Sequence, residues 1–238
     1  MKQLAQAIVA IINDYHNYLG FQFTEEHIIN WVNQFEEDDR EFLLQELLHL
    51  LQKGIYINEQ QGRQLLLSRI ETLSNKFSYK TPVDFLANTD ILQLQPQGKS
   101  QHYLLTLLDK ELQRKYGIGL KQCGTASQKF TLYIDDMLAT GGTVFKDLSN
   151  WLQQKQKDDK TNLSRVAKTE TTLILSFYCR HLWSNVPWRL KVALGNDEIT
   201  KRINFYCDYE IQNHPSYPPN PQFNFAYPIN EEIQTVQD

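Results

Sequence analysis

The stretch that most constrains this chain is a β-rich run over residues 130–134 that ends directly in Asp135 and Asp136. The next residues include Thr140-Gly141-Gly142-Thr143, which leads into a helical pattern over residues 144–152. A strand that brings adjacent carboxylates to a sheet edge, followed by a glycine turn into a helix, is typical of a ligand site in an α/β protein. The amides and hydroxyls of the turn suit a phosphate, and the carboxylates suit a group with several hydroxyls, such as a ribose. A phosphorylated sugar meets both demands.

Strand and helix patterns alternate through the C-terminal part of the chain. Residues 91–94 predict a short strand, residues 103–116 a helix, and residues 171–178 a strongly apolar strand. We expect two further strands over residues 188–194 and 203–206. This alternation predicts an α/β fold with a largely parallel sheet.

The N-terminal part is predicted to be helical, with four amphipathic segments over residues 5–19, 24–35, 42–51 and 65–77. Asp38 and Glu41 have the spacing of a capping box for the third helix. Trp31 and Phe35 are expected to lie in the core. A winged-helix DNA-binding unit is the alternative interpretation of these helices.

Charge divides the chain at about the same place as the helical pattern. Residues 1–90 hold 7 Lys/Arg and 13 Asp/Glu, net −6, whereas the remaining residues hold 17 Lys/Arg and 15 Asp/Glu, net +2. The acidic part opposes binding to nucleic acid phosphates, which disfavours the winged helix. We predict a helical N-terminal region over residues 1–85 that acts as a cap or a partner-docking region. An α/β domain over residues 86–238 follows and ends in a Pro-rich tail.

Residues 135–143, with the sequence Asp-Asp-Met-Leu-Ala-Thr-Gly-Gly-Thr, resemble the phosphoribosyl-pyrophosphate (PRPP) loop of the type I phosphoribosyltransferases. The Ala-Thr-Gly-Gly-Thr portion is similar to that of the adenine and uracil enzymes. The resemblance implies the fold of that family, a mostly parallel sheet flanked by helices. It also implies that Asp135 and Asp136 are the catalytic residues, which accept hydrogen bonds from the ribose hydroxyls and favour positive charge at the anomeric carbon. The residues that would hold the 5′-phosphate are Ala139, Thr140, Gly141, Gly142 and Thr143.

A second loop stands where the same family keeps its pyrophosphate loop. It follows the first strand of the α/β part and opens a helix, and its residues are Gln97, Gly98, Lys99 and Ser100. The resemblance implies that Lys99 and the backbone amides hold a diphosphate, with Mg²⁺ shared between the diphosphate and the sugar. The loop also matches the end of a Walker A motif, but Gln93 stands where that motif requires glycine, which excludes a P-loop nucleotide triphosphatase.

One departure from the family bears on catalysis. The hypoxanthine-guanine enzymes place an acidic residue just before the Thr-Gly pair, and this chain has Ala139 there. No segment has the motif of a base-binding hood, which leaves the helical region and the Pro-rich tail around residues 217–221 as candidates. The chain is therefore expected either to transfer or remove a ribosyl phosphate or to act as a non-catalytic sensor of PRPP or a nucleotide.

The whole chain, with acidic helices ahead of the sheet, resembles the phosphoribosyltransferase-like proteins of bacterial conflict and defence operons, some of which accompany reverse transcriptases in retrons. This resemblance implies an effector, or an interaction module, of an anti-phage system. The implied partners are PRPP or a nucleotide, a reverse transcriptase–nucleic acid complex or another defence-operon protein, and a second copy of the chain in a homo-oligomer.

Other chemistries find less support in the sequence. Cys123, Cys179 and Cys207 are odd in number and far apart, which fits a reducing cytoplasm better than a disulfide framework or a zinc site. We expect no signal peptide, because residues 1–5 carry one positive charge in a mixed helical pattern without a cleavage site. We expect no membrane association, because no apolar stretch approaches roughly 18 residues. There is no GxSxG turn and no metal-type histidine spacing, although His102 lies beside the second loop. Cys179 follows a strand as a candidate nucleophile. A lysine-rich run is expected to be a solvated face rather than a nucleic-acid patch, and its members are Lys146, Lys155, Lys157, Lys160, Arg165 and Lys168.

Overall fold

A computed structural model describes residues 1–15, 20–54, 56–181 and 185–211. The Pro-rich tail around residues 217–221, together with His16 and His214, lies outside the described residues. The chain divides into two compact units, Met1–Gln64 and Leu65–Asp238. No helix in the described part of the chain combines the length and the apolarity needed to cross a membrane.

The described residues of the first unit form α1 (Lys2–Ile11), α2 (Glu25–Val32) and α3 (Arg40–Gln52), together with the start of a fourth helix, which confirms the helical prediction. Helix α1 ends at Ile11, earlier than the predicted residue 19. Helices α1, α2 and α3 pack around a small aliphatic core whose fully buried members are Ala5, Ile8, Ile28, Val32 and Leu44.

Two details of the first unit differ from prediction. Residues Glu37–Asp39 form a turn of 3₁₀-helix, so Asp38 does not cap α3, and the N-cap residue Asp39 makes no side-chain capping bond. Trp31 and Phe35 are 37% and 40% exposed, so their assignment to the core was wrong. The aliphatic residues Ile28 and Val32 fill that position on α2 instead.

Helix α4 (Glu59–Lys76) starts in the first unit and continues into the second, and α5 (Pro82–Ala87) follows it. Leu66, Ile70 and Leu73 of α4 belong to the same core as the first strands of the sheet. By packing, the α/β unit therefore begins near Leu65. The predicted boundary between residues 85 and 86, which separates a helical N-terminal region from the α/β domain, stays a prediction.

The sheet has four parallel strands in the order β1 (Thr89–Ile91), β2 (Phe130–Leu138), β3 (Thr172–His181) and β4 (Ile203–Ile211). Thr89 pairs with Phe130, Phe130 with Thr172, and Leu173 with Ile203. This sheet confirms the predicted α/β fold and the strands predicted over residues 130–134, 171–178 and 203–206. The first strand lies earlier than predicted, because β1 shares only Ile91 with the predicted span 91–94.

The strand predicted over residues 188–194 is wrong, because Val186–Leu194 forms helix α9. Val186 and Leu190 are buried and stand four residues apart, which is the spacing of a helix stripe, whereas Trp188 and Val192 are exposed. A short apolar run fits both a strand and a helix, and here the helical spacing prevails.

Helices cover both faces of the sheet. On one face α4, α5 and α6 (Ser100–Tyr116) pack against Leu132, Ile134 and Ile174. On the other face α7 (Gly142–Gln153), α8 (Asn162–Ala167), α9 and α10 (Ile199–Arg202) pack against Leu173 and Leu175. Because all strands are parallel, the loops after β1 and β2 meet at the same edge of the sheet.

Candidate functional site

The loop after β2 turns the chain into α7 through Gly141. This residue has φ +76° and serves as the N-cap of α7, a left-handed conformation that disfavours a side chain. The first intrahelical bond runs from the Phe145 amide to the Gly141 carbonyl at 2.8 Å. The amides of Gly142 and Thr143 precede that bond and have no partner within the helix. The start of α7 therefore presents backbone donors and a positive dipole end.

The loop after β1 is held in place by a buried amide. The Oε1 atom of Gln101 accepts hydrogen bonds from the backbone amides of Leu94 (2.8 Å) and Gln95 (3.0 Å). Its Nε2 atom donates to the carbonyl of Ile134 at 3.2 Å, which ties the loop to β2. Gly98 has φ +89°, and Lys99 is the N-cap of α6. These bonds fix the loop before any ligand binds.

Asp135 is buried, and its carboxylate accepts four hydrogen bonds from the protein. The donors are the Ser100 hydroxyl (2.8 Å), the Gln95 amide nitrogen Nε2 (2.7 Å), the Tyr133 hydroxyl (3.2 Å) and the Asp136 backbone amide (2.9 Å). Two of these donors come from the loop after β1 and the start of α6. A carboxylate with this many donors joins the two loops and has little capacity left for a ligand.

Tyr133 extends the same network toward α7. Its hydroxyl lies 3.0 Å from Oδ2 of Asp147 and 3.2 Å from Oδ2 of Asp135, and it accepts from Gln95 Nε2 at 2.9 Å. A phenol has one proton, so it donates to one of the two carboxylates at a time. Burial first, and the two neighbouring acids second, raise the pKa of Tyr133 above its usual value, so the hydroxyl stays protonated.

Asp136 is the exposed member of the acidic pair. The backbone amide of Met137 donates to its Oδ1 atom at 2.7 Å. Although the side chain reaches solvent, desolvation by the surrounding cleft and then the Asp135 carboxylate raise the pKa of Asp136. The Asp135 carboxylate is therefore occupied by hydrogen bonds within the protein, whereas the Asp136 carboxylate is exposed and accessible to a ligand.

A cavity of about 440 Å³ lies between the two loops. Its polar lining includes Lys99, Ser100, Asp135, Asp136, Thr143, Lys146 and Asp147. Among the described residues, neither the Lys99 nor the Lys146 ammonium group forms an ion pair. The cavity therefore combines two cations and a helix N-terminus, which suit phosphate groups, with the carboxylates of Asp135, Asp136 and Asp147.

The predicted site residues fall into two groups. Lys99, Ser100, Asp135, Asp136 and Thr143 line the cavity. The remaining predicted residues lie in the two loops but not in the lining set, and these are Gln97, Gly98, Ala139, Thr140, Gly141 and Gly142.

Sequence reasoning assigned no role to Gln95, Gln101 and Tyr133, and it placed Lys146 and Asp147 on a solvated face, whereas both line the cavity. For Lys146 and Asp147 a signal existed, because Thr143, Lys146 and Asp147 are three and four residues apart on α7 and share a face. The other three residues act through contacts that no local pattern shows.

Other candidates lie elsewhere or are poorly suited. His102 lines a separate cavity of about 710 Å³ together with Asp109 and Gln113. Burial raises the pKa of the Cys179 thiol to about 11, which leaves little thiolate for nucleophilic attack. In the lysine-rich run, Lys160 pairs with Glu170 at 3.0 Å, as on a solvated face. Within the described residues, no group of three or more His, Cys, Asp or Glu side chains is placed to hold a metal.

Comparison with known proteins gives one match. The family model PRTase-CE matches residues 28–236, a span that begins within α2 and continues through the sheet. No curated protein and no solved structure matches the chain significantly.

Proposed function

The chain belongs to the PRTase-CE family and is a phosphoribosyltransferase-like protein, and we propose that it binds PRPP or a related ribose 5-phosphate or nucleotide. The observation that carries this proposal is the cavity itself. Its lining contains the exposed carboxylate of Asp136 and the Lys99 and Lys146 cations, which form no ion pair among the described residues. The N-terminal turn of α7 contributes to the same lining. A sugar phosphate is a ligand that needs all of these groups at once.

The 5′-phosphate end of such a ligand fits the start of α7. The turn of Ala139, Thr140, Gly141 and Gly142 leads the backbone to Thr143, whose amide and hydroxyl both donate. Lys146, one turn further along α7, supplies a full positive charge next to this donor group. The support is the match between a dianion and the backbone donors at the start of α7 together with the Lys146 cation, although the Asp147 carboxylate also lines this cavity.

The diphosphate end fits the loop after β1, where Lys99 and the amides of Gly98 and Ser100 are available. Mg²⁺ is the cation we propose to accompany the diphosphate. The available donors fit it, because Mg²⁺ prefers carboxylate and phosphate oxygens and is usually held by one or two carboxylates together with the substrate's phosphates. Asp136 and Asp147 line this cavity and each accept one hydrogen bond from the described part of the protein, so both have oxygen capacity left, and Asp136 is the more exposed of the two.

The ribose lies between the two ends in this proposal, with its hydroxyls donating to Asp136. When the bond from the anomeric carbon to its leaving group breaks, positive charge develops on the sugar, and the Asp136 carboxylate stabilises it. Asp135 acts as a positioning residue, since its oxygens already accept four protein hydrogen bonds. The transfer of a ribosyl phosphate or its removal from a nucleotide uses the same arrangement.

One observation favours a second candidate function, a non-catalytic sensor. Ala139 supplies no acid or base beside the sugar, and the described lining contains no histidine. A site that has no histidine and no acidic residue before the Thr-Gly pair can bind its ligand through phosphates and hydroxyls without completing the chemistry on the base side.

We further propose that the protein acts in the cytoplasm as an effector of an anti-phage defence system. The support is its acidic helical unit, which is available for a partner such as a reverse transcriptase–nucleic acid complex, and its three free cysteines. A homo-oligomer stays a prediction.

Calorimetric titration with PRPP and Mg²⁺ tests the binding proposal. We expect saturable binding by the native protein, at least 30-fold weaker binding by Asp136→Asn, and at least 10-fold weaker binding by Lys99→Met. Asp158→Asn is the matched control, because Asp158 is exposed, forms a long 3.9 Å ion pair with Lys160 and accepts a 3.3 Å hydrogen bond from the Lys160 backbone amide, which an asparagine oxygen can also accept. A folded native protein that binds nothing, or an Asp136→Asn variant with native affinity, contradicts the proposal.

Turnover separates the two candidate functions. Purified protein that binds PRPP is incubated with nucleobases or, in the reverse direction, with nucleotides, and released pyrophosphate or free base is measured. Product formation that depends on Asp136 supports the transferase, and tight binding without product supports the sensor.

A further inference from the structure

Aromatic side chains lie on the surface of α2 in the first unit. His27 and Trp31 are one helical turn apart, and Phe35 follows at the same spacing just beyond the helix. Phe21 contacts His27 with ring centroids 4.7 Å apart, and Trp31 contacts Phe35 at 5.3 Å. We call Phe21, His27, Trp31 and Phe35 the aromatic stripe.

Within the aromatic stripe, half-buried His27 caps α2 by accepting a hydrogen bond from the Thr24 backbone amide at 3.1 Å, whereas Phe21, Trp31 and Phe35 are not needed to hold the helix in place. Ile28 and Val32 are buried and anchor the helix to its own small core. Phe21, Trp31 and Phe35 remain more than a third exposed in the described chain. A line of exposed aromatic rings on an already anchored helix is typical of a binding surface, where aromatic anchors contribute most of the affinity.

Acidic residues flank both ends of the aromatic stripe. Glu25 and Glu26 lie in the first turn of α2, and a run of four acids, Glu36, Glu37, Asp38 and Asp39, directly follows Phe35. None of these carboxylates forms an ion pair within the part of the chain that the structure describes. The neighbouring Arg40 does not neutralise them, because its guanidinium donates to the carbonyls of Phe35 and Asn33.

The first unit as a whole also carries a negative net charge. Residues 1–64 hold 4 Lys/Arg and 10 Asp/Glu, net −6. This field attracts a cationic partner and repels nucleic acid. It also disfavours symmetric pairing of two copies through this surface, because an isologous contact would place the same acids opposite each other.

We propose that the aromatic stripe and its acidic flanks are a docking surface for a basic amphipathic segment of a partner protein. Lysine and arginine side chains of that segment pair with the flanking carboxylates, and arginine stacks on the exposed rings. Its apolar side chains cover the remaining surface of Trp31 and Phe35. This surface lies on the first unit, so the proposal does not depend on what the cavity of the second unit binds.

Two labelled peptides of about 20 residues test the proposal on the full chain. Both carry the same net positive charge, but one has leucines at helical spacing and the other has serines at those positions. Fluorescence anisotropy is expected to show at least 10-fold tighter binding of the leucine peptide, and an increase in salt is expected to weaken that binding. Equal binding of the two peptides overturns the proposal, because charge alone would then explain the interaction.

Two variants of the docking surface and one control locate the interaction. Trp31→Ser/Phe35→Ser and, independently, Glu36→Lys/Asp38→Lys are each expected to weaken binding of the leucine peptide at least 10-fold. Glu36→Lys/Asp38→Lys leaves every apolar residue unchanged, so it still tests the docking surface if Trp31→Ser/Phe35→Ser does not fold. Trp188→Ser is the matched control, because Trp188 is 60% exposed on α9 of the other unit.

Three results contradict the docking surface. The first is an equal loss of binding in the Trp188→Ser control. The second is tighter binding of single-stranded nucleic acid than of the leucine peptide. The third is self-association in sedimentation that disappears in Trp31→Ser/Phe35→Ser, since a second copy would then occupy the surface.

Discussion

The two compact units use their aromatic residues in opposite ways. In the second unit Phe85, Phe130 and Phe177 are buried, and they join the helices to the sheet. In the first unit Phe42 and Trp31 lie on the surface, and aliphatic residues fill the core. At these positions aromatic rings build the core of the second unit and lie on the surface of the first, although Trp188 of the second unit is also exposed and Phe23 packs against the core of the first.

This difference shows where each unit's function lies. A site that must hold a carboxylate, two cations and a helix start in fixed positions needs a rigid, well-packed scaffold beneath it. A docking surface needs exposed area and charge, and a small core of five fully buried residues is enough to hold its helices. The following substitutions test that contrast, from the largest expected effect to the smallest.

The contrast between two phenylalanines is the most direct test. Phe85→Ala removes a fully buried ring whose centroid lies 5.3 Å from that of Phe130, and we expect a loss of about 3–5 kcal/mol in unfolding free energy. Phe42→Ala removes a ring that is 59% exposed in the first unit, and we expect a loss below about 1 kcal/mol. Urea unfolding followed by tryptophan fluorescence measures both. Similar losses for the two variants would remove the contrast between the units.

The next largest effect concerns the buried acid of the second unit. Asp135→Asn replaces an acceptor by a group that donates, so some of the four surrounding donors lose their partner inside the protein. We expect a loss of about 2–4 kcal/mol in unfolding free energy. Asp158→Asn, at an exposed position, is expected to change stability by less than about 0.5 kcal/mol. Native stability of Asp135→Asn would mean that this carboxylate does not join the two loops.

Adjacent glycines at the start of α7 give a matched pair. Gly141→Ala forces a side chain into φ +76°, and we expect a loss of about 1–2 kcal/mol. At Gly142 an added Cβ meets only the Thr140 hydroxyl at 3.9 Å, so Gly142→Ala is expected to be neutral or slightly stabilising. The midpoints of thermal unfolding compare the two. A larger loss at Gly142 would contradict the turn described for this loop.

The smallest expected effect is a gain in stability rather than a loss, and it concerns Asp136. The pKa of Asp136 is raised in the folded protein, so the folded state binds its proton more tightly than the unfolded state does. This contribution to stability is complete below the unfolded pKa, and it is lost as the pH rises through the folded pKa. At pH 7 Asp136→Asn is therefore expected to raise the unfolding midpoint by about 1–2 °C, and the gain disappears in acid. A midpoint that falls at pH 7 would show that the ionised carboxylate stabilises the fold.

Local sequence was sufficient to predict the two loops. The acidic pair at the end of β2, the glycine turn before α7 and the lysine before α6 are each contained in fewer than ten consecutive residues. The predictions that they lie at one edge of a parallel sheet and that the helices surround it follow from general rules of connection.

Features that depend on distant partners were not predictable. Tyr133 and Gln95 meet although they are 38 positions apart, and only the register of β1 against β2 brings them together. The different roles of Asp135 and Asp136 follow from strand alternation combined with what covers each face. Trp31 was misplaced because its helix is anchored by smaller residues, which hydrophobicity alone does not reveal.

The hydrogen bonds of the Asp135 carboxylate join the loop after β1 to the loop after β2, so that the two loops are expected to order as a single element. If one ligand fragment orders this element, the second fragment finds it already ordered and loses less conformational entropy on binding. Ribose 5-phosphate and pyrophosphate are then expected to bind with positive coupling, each raising the affinity for the other by the same factor. A cycle of four titrations with the two fragments measures this coupling, and a factor of one would show that the loops respond independently.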